Sequence, residues 1–182
     1  MMLYHVTIPS PFGEIGLFWS WKGGVPSVRR ILLPRGEGVE ECARREGFDL
    51  RKGSVPEIER ISSEISLFLQ GRPIAFSLAD LDMDSCYAFQ RRVLAAEASI
   101  PRGRVISYGV LAGRIGAPRA ARAVGTALAR NPFPLVIPCH RAVRSDGSPG
   151  GFGGGVDMKR ALLEMEGVRF DRKGRVEREC FL

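Results

Sequence analysis

Residues 107–143, "SYGVLAGRIGAPRAARAVGTALARNPFPLVIPCHRAV", decide how the chain is read. Ser107 is placed to cap a short helix, "YGVLAGRIG". Gly116-Ala117 makes a tight link into "PRAARAVGTALARN", where Pro118 suits a first helical turn. Two short helices joined by a glycine-containing turn predict a helix-turn-helix. In the second helix Ala120, Ala121, Val124, Ala127 and Leu128 can form an inner stripe, with Arg119, Arg122, Ala123 and Thr126 outside. So small and basic an outer face would let the helix approach a nucleic-acid groove closely. It lacks the long Asn, Gln and Arg set of a base reader, which points to shape-directed or minor-groove contact. An alanine-rich packing helix would show the same pattern, and periodicity does not separate the two. After Asn131-Pro132 the sequence becomes aliphatic and proline-broken. That change predicts an extended, buried segment carrying Cys139 and His140.

Outward from this stretch the chain divides in two. "LYHVTIP", "EIGLFWSW" and "SVRRILLP" are separated by turns at hairpin spacing and predict a meander. "SVPEIERISSEISLFLQG" predicts a helix capped by Ser54 and ended by Gly71, burying Ile58, Ile61, Ile65, Phe68 and Leu69. "IAFSLAD" predicts one more strand. Residues 1–82 therefore read as an α/β domain and residues 83–182 as a mainly helical one, an α+β chain overall. In the second half Asp84 or Ser85 is expected to cap a helix through "CYAFQRRVLAAEASI", with Phe89, Val93 and Ala96 on one stripe. Asp157 is expected to cap "MKRALLEMEG", which Gly167 ends. "SDGSPGGFGGG" predicts a loop whose backbone can approach a ligand closely. A hairpin is expected at Lys173-Gly174.

The composition, 45% hydrophobic and 26% charged, is that of a globular protein. No apolar run has membrane-spanning length, and the N-terminal residues lack a secretion-signal pattern, so a cytoplasmic protein is expected. The net charge is +7, and arginines far outnumber Lys22, Lys52, Lys159 and Lys173. Such an excess suits an anionic partner such as nucleic acid. Cys42, Cys86, Cys139 and Cys180 are scattered, and only His5 and His140 accompany them. No zinc spacing is present, and reduced thiols are expected in that compartment.

Cys139 is the cysteine with a neighbour able to activate it. A reactive thiol needs its proton taken, and an adjacent imidazole can take it. Neighbours on an extended strand face apart, so His140 is expected to reach the sulfur by a turn or through a water. The imidazole needs an orienting carboxylate, for which Glu164 and Glu166 are the nearest candidates. A buried structural cysteine beside a satisfied histidine is the competing reading.

"SYGVLA", "AARAVGTAL", "NPFP" and "IPCHR", followed by "GFGGGVDMKRALLEMEG", together resemble the O6-alkylguanine-DNA alkyltransferases. The resemblance runs through nearly all of residues 83–168. "SPFGEIGLFW" and "RILLP" look like the family's more variable first domain. It implies an RNase H-like N-terminal domain and a winged helix-turn-helix-like C-terminal domain. It implies a DNA repair protein, a monomer without metal or cofactor. The protein would bind duplex DNA through the minor groove and flip out the O6-alkylguanine. Cys139 matches the alkyl acceptor, and His140 the residue that takes its proton through a water. Glu166 matches the carboxylate that holds the histidine. Arg122 falls on the finger that fills the gap left by the flipped base, beside Ala121, Ala123 and Thr126 on the DNA. Tyr108 matches the tyrosine that rotates the target phosphate and bonds the base. Asn131 matches the residue tying the recognition helix to the active-site strand. Pro134, Ala142, Phe152 and Gly153 fall on the substrate pocket.

The implied reaction moves the alkyl group once to Cys139 and forms a thioether that water does not cleave. O4-alkylthymine is an expected second substrate. Phe152-Gly153 stands where some members have tyrosine and serine, and Ala142 where valine is more usual. His5 and Cys42 are too few to carry the zinc site that some members have. Two other readings use the same residues: a lesion binder with a silent cysteine, and a cysteine hydrolase using Cys139 and His140.

Overall fold

The computed structural model describes the chain apart from Met1, residues 35–37, Glu46 and Phe48, and the side chains of Cys42 and Asp49. It forms two compact units, residues 1–85 and 86–182, with mixed α and β content.

In the first unit, β1 (Met2–Ile8), β2 (Ile15–Lys22) and β3 (Val25–Leu32) form the expected antiparallel meander. A fourth strand, β4 (Asp49–Lys52), pairs parallel with β1 and gives the order β3-β2-β1-β4. A parallel neighbour needs a crossover. Helix α1 (Val39–Arg45), absent from the sequence expectation, lies within it. Val39 and Ala43 of α1 pack with Leu3 and Phe18. The run Ile15–Ser20 of β2 is buried without alternation, as a central strand covered on both faces must be.

Helix α2 (Pro56–Leu69) buries the predicted stripe of Ile58, Ile61, Ile65, Phe68 and Leu69. Gly71, at φ +87°, follows its end. Ser54 is not its cap. The N-cap is Val55, with Pro56 in the first turn. The expected strand through residues 74–80 is absent. Ser77 Oγ accepts the Ala79 N–H and starts a 3-10 turn, Leu78–Asp80, so a local side-chain bond competes with the sheet. Leu81 bridges to Val28 of β3, and the Asp82 N–H donates to the Val28 carbonyl at 2.9 Å.

The second unit begins with α3 (Ala88–Ala98). Neither Asp84 nor Ser85 caps it, because both side chains are used in the preceding unit. Asp84 accepts from Lys22 Nζ at 2.7 Å, and Ser85 Oγ donates to the Asp82 carbonyl at 2.7 Å. Its buried face is Gln90, Val93, Leu94 and Glu97, not the Phe89–Val93–Ala96 stripe. Ser107 does cap α4 (Tyr108–Arg114), its Oγ accepting the Val110 N–H at 3.2 Å. The link to α5 (Ala121–Ala129) turns at Gly116, φ +70°. Helix α5 starts three residues later than Pro118 suggests. Residues 118–120 are instead a turn closed by the Ala120 N–H on the Ala117 carbonyl at 2.8 Å.

Gln90 Nε2 donates to the Ala127 and Arg130 carbonyls at 3.1 and 3.0 Å, satisfying the open end of α5. Strand β5 (Ile106–Ser107) pairs parallel with β6 (Ala142–Val143), which brings the end of the Cys139 segment beside the start of α4. Helix α6 (Val156–Met165) is entered through Gly155, at φ +89°, not through an Asp157 cap. Asp157 stays in the first turn, where its charge suits the helix dipole. Gly167, at φ +91°, follows the helix end. Phe170 pairs with Val176 across the expected hairpin. Val105, Val143, Leu163, Val168, Val176 and Cys180 form one buried cluster that ties the C-terminal residues into the unit. Among the described residues no helix is long and apolar enough to cross a membrane.

Candidate active site

The segment expected to be extended is folded back on itself. Leu135 adopts φ +73°, the only positive φ among described non-glycine residues, and Pro134 bridges to Ile137. A left-handed leucine costs about 1–2 kcal/mol. The burial of Phe133, Leu135 and Ile137 and the Asn131 side chain hold it there. Asn131 Nδ2 donates to the Ile137 carbonyl at 3.1 Å, and its Oδ1 accepts the Phe133 N–H at 2.9 Å. Asn131 thereby connects the end of α5 to the residues before Cys139.

Cys139–Arg141 is a 3-10 turn, closed by the Arg141 N–H on the Pro138 carbonyl at 2.8 Å. Neighbours on such a turn point about 120° apart, not to opposite faces. Cys139 is half-buried and His140 fully buried.

His140 Nε2 lies 3.0 Å from Glu166 Oε1. Of the two glutamates the sequence leaves open, Glu164 is exposed and paired with Arg160 at 2.9 Å. Glu166, at the end of α6, is buried and turned to the histidine. Arg141 forks onto the same carboxylate, Nε to Oε2 at 2.8 Å and Nη2 to Oε1 at 2.7 Å. Its third nitrogen donates to the Ile100 carbonyl at 2.5 Å. Burial pushes the Glu166 carboxyl up, but the hydrogen bonds from His140 and Arg141 outweigh it and hold the group at about 2. Burial pushes His140 below its ordinary value, against the pull of Glu166. The ring is therefore a neutral imidazole at pH 7, able to accept a proton. Burial also pushes the Cys139 thiol up to about 11, with Asn131 and Lys159 acting in the opposite direction. The resting sulfur is a protonated thiol, so its proton has to be removed when it reacts.

The walls come from three elements. Tyr108, at the start of α4, is half-buried, and burial raises its hydroxyl. A Cβ added to Gly150 would lie 2.8 Å from the Tyr108 hydroxyl, so the glycine loop closes on that side chain. Phe152 meets the His140 ring edge-on at 6.3 Å. Pro134 and Ala142 are buried, and Gly153 is exposed. Lys159 of α6, fully buried, donates from Nζ to the Ala142 carbonyl at 2.6 Å and the Gly151 carbonyl at 3.5 Å. One cation thus ties the strand after the Cys139 turn to the glycine loop.

On α5, Arg122, Ala123 and Thr126 are exposed and Ala121 is half-buried. The Thr126 hydroxyl donates to the Arg122 carbonyl at 3.1 Å, which leaves the face small and smooth.

Cys139, His140, Glu166, Asn131 and Phe152 are thus collected around one turn, with Tyr108 beside the same loop. Arg122 belongs to the separate helix surface. Sequence reasoning assigned nothing to Arg141, Lys159 or Glu97. For the last two a signal existed: each is a charged residue on the buried face of its helix, beside Met158, Leu162 and Leu163 or beside Val93 and Leu94. Arg141 carried none beyond adjacency to His140. Cys86, Cys139 and Cys180 are free thiols, and the Cys42 side chain lies outside the described residues.

Residues 88–168 match a family model described as the DNA binding domain of 6-O-methylguanine DNA methyltransferase. A methylated-DNA–protein-cysteine methyltransferase of Methanothermobacter thermautotrophicus is 43% identical over 161 residues, 88% of this chain and 84% of that one. The protein of the same name from Mycobacterium bovis is 52% identical over 92% of this chain and 94% of its own. The crystal structure of Mycobacterium tuberculosis OGT in complex with DNA superposes with a TM-score of 0.70 at 33% identity. That match covers 90% of this chain and 92% of that one. Likeness of this extent, over both units and including the segment that holds Cys139 and His140, means that the chain belongs to the methylated-DNA–protein-cysteine methyltransferase family.

Proposed function

We propose that the protein repairs DNA by moving the alkyl group of an O6-alkylguanine in duplex DNA irreversibly to Cys139. The observation that carries this is the turn Cys139–Arg141. It sets a half-buried thiol next to a neutral imidazole whose far nitrogen is fixed by a buried, Arg141-forked Glu166.

His140 takes the thiol proton, through a water, as the sulfur attacks the alkyl carbon. The S–C bond forms and the C–O6 bond breaks in one in-line displacement. Guanine leaves with the electron pair of the broken bond, its developing charge stabilised by a hydrogen bond from the Tyr108 hydroxyl, and it takes up one proton from water as His140 returns the thiol proton to solvent. The imidazolium that forms sits against the Glu166 carboxylate, an electrostatic gain available only as the thiolate develops. Asn131 fixes the approach to the turn. Pro134, Ala142, Phe152 and Gly153 line the base pocket. The product is a thioether with no electrophilic carbonyl for water to attack, so each molecule acts once.

A stacked base cannot bring O6 to the sulfur, and flipping follows as a requirement. The α4–α5 pair acts as the helix-turn-helix of a winged C-terminal domain, following an RNase H-like N-terminal one. It presents Ala121, Ala123 and Thr126 to the minor groove, with Arg122 filling the gap in the stack. O4-alkylthymine fits the same chemistry, and the protein acts as a monomer. One observation favours a second reading, lesion binding without transfer: the resting thiol is held at about 11.

Duplex DNA labelled in the O6-methyl group tests both. One label per protein, on Cys139 and absent from Cys139→Ala, is the expected result. Label transfer that persists in Cys139→Ala would overturn the assignment, and tight lesion binding with an unlabelled wild type would favour the second reading.

A further inference from the structure

Glu97 lies on the buried face of α3, in the stripe that carries Val93 and Leu94. It is fully buried, and among the described residues neither of its carboxylate oxygens has a hydrogen-bond partner. The Ala142 backbone amide faces the carboxyl without completing a bond of normal geometry. An ionised carboxylate in that position is costly unless cations face it. Helix α3 packs against the Cys139–Arg141 turn and against α4, and the charged and titratable groups whose fields reach the carboxyl are Lys159 from α6, Arg141 from that turn, Tyr108 from α4, and Cys139 itself. Arg141 is already committed to Glu166. Lys159 ends on the carbonyls of Ala142 and Gly151, with no carboxylate among those contacts.

We propose that Glu97 is a positioning residue for alkyl transfer: a buried carboxyl group, facing Lys159 and Cys139, whose charge sets how readily the Cys139 thiol ionises. The inference rests on Cys139 being the reacting sulfur.

Burial pushes Glu97 up to about 8, with Lys159 and Arg141 pulling it down. Burial pushes Lys159 down to about 8, with Cys139 and Glu97 pulling it up. Two groups with well-separated ordinary values thus meet near one pH and titrate as a coupled pair. Below that pH the pair is a neutral acid beside an ammonium, and its positive charge favours a thiolate. Above it the carboxylate ionises. The carboxylate charge of Glu97 opposes the thiolate, whereas the Lys159 ammonium favours it. Glu97 therefore restrains the acceptor in the alkaline range and releases it near neutrality.

Iodoacetamide alkylation of Cys139, followed by mass spectrometry without DNA, reads this directly. The ratio of the Glu97→Gln rate to the wild-type rate should rise about fivefold between neutral pH and about pH 9.5. A ratio that stays constant with pH overturns the proposal. Carboxyl NMR of wild-type protein labelled at glutamate gives a reading that does not depend on the variant folding. A carboxyl that titrates near pH 8 is expected, and no glutamate titrating in the alkaline range overturns it. Transfer from O6-methylguanine DNA on the same samples separates the two claims. Transfer with a flat ratio sinks the role of Glu97 alone. A rising ratio without transfer sinks the repair reading, and with it any role of Glu97 in transfer, and leaves only its effect on the Cys139 thiol.

Discussion

His140 Nε2 and Glu166 Oε1 lie 3.0 Å apart with neither side chain exposed to solvent, and Arg141 forks onto the same carboxylate. Three nitrogen atoms from two side chains are committed to one buried carboxylate. Glu166→Gln keeps the shape but leaves Arg141 without its counter-charge and His140 without its anchor. Removing one partner of a buried pair costs about 3 kcal/mol. Denaturant unfolding should show that loss, and single-turnover transfer should slow by more than the stability change accounts for.

The same carboxylate sets an acid limb. The folded value of Glu166, about 2, lies below the ordinary 4.5 of the unfolded chain. Its stabilisation is therefore fully present above about pH 4.5 and lost as the pH falls toward about 2. Between those limits wild-type midpoints should fall with decreasing pH more steeply than those of Glu166→Gln, measured in urea across that window.

Gly150 combines φ +74° with a Tyr108 hydroxyl 2.8 Å from where a Cβ would stand. Gly150→Ala both strains the backbone, by about 1 kcal/mol, and displaces Tyr108. Single-turnover rates on lesion DNA should drop about tenfold or more, whereas affinity for undamaged duplex should be retained. An equal loss in both measurements would place Tyr108 outside the transfer step.

Asn131 makes two hydrogen bonds that close the bend before Cys139. At about 1 kcal/mol each, Asn131→Ala should destabilise the protein by about 2 kcal/mol. The thiol should also become less acidic, since Asn131 is among the groups that favour the thiolate. The unfolding midpoint and the pH profile of iodoacetamide labelling check the two parts separately.

The exposed face of α5 should bind DNA through phosphates more than through bases. Binding to unmodified duplex should weaken steeply with salt. Ala123→Glu, a negative charge in the middle of that face, should lower affinity about tenfold. Fluorescence anisotropy over a salt series measures both, and a flat salt response would contradict the DNA reading of this helix.

Much of the molecule is written locally. The α2 stripe, the Ser107 cap, the turn at Gly116 and the Lys173-Gly174 hairpin each depend on a few neighbouring residues. The segment carrying Cys139 and His140 was visible for the same reason. The missed elements have nonlocal causes. Helix α1 and strand β4 exist because β1 offers a parallel edge, and no residue within them announces that. The strand expected at residues 74–80 lost to a hydrogen bond from the Ala79 N–H to Ser77 Oγ that periodicity does not register.

At the site the division is the same. By itself the sequence determined which sulfur has a basic neighbour, and it narrowed the orienting carboxylate to two candidates on one helix. Tertiary structure decided between them, because α6 turns Glu166 inward to a histidine 26 residues away and leaves Glu164 in solvent. It also bent a proline-broken segment into the turn that separates Cys139 from His140, through an Asn131 side chain that reaches back to Ile137. Only packing could bury Lys159 and Glu97 beside that turn. Their charges matter because the surroundings exclude water, and water is excluded by residues far apart in the chain.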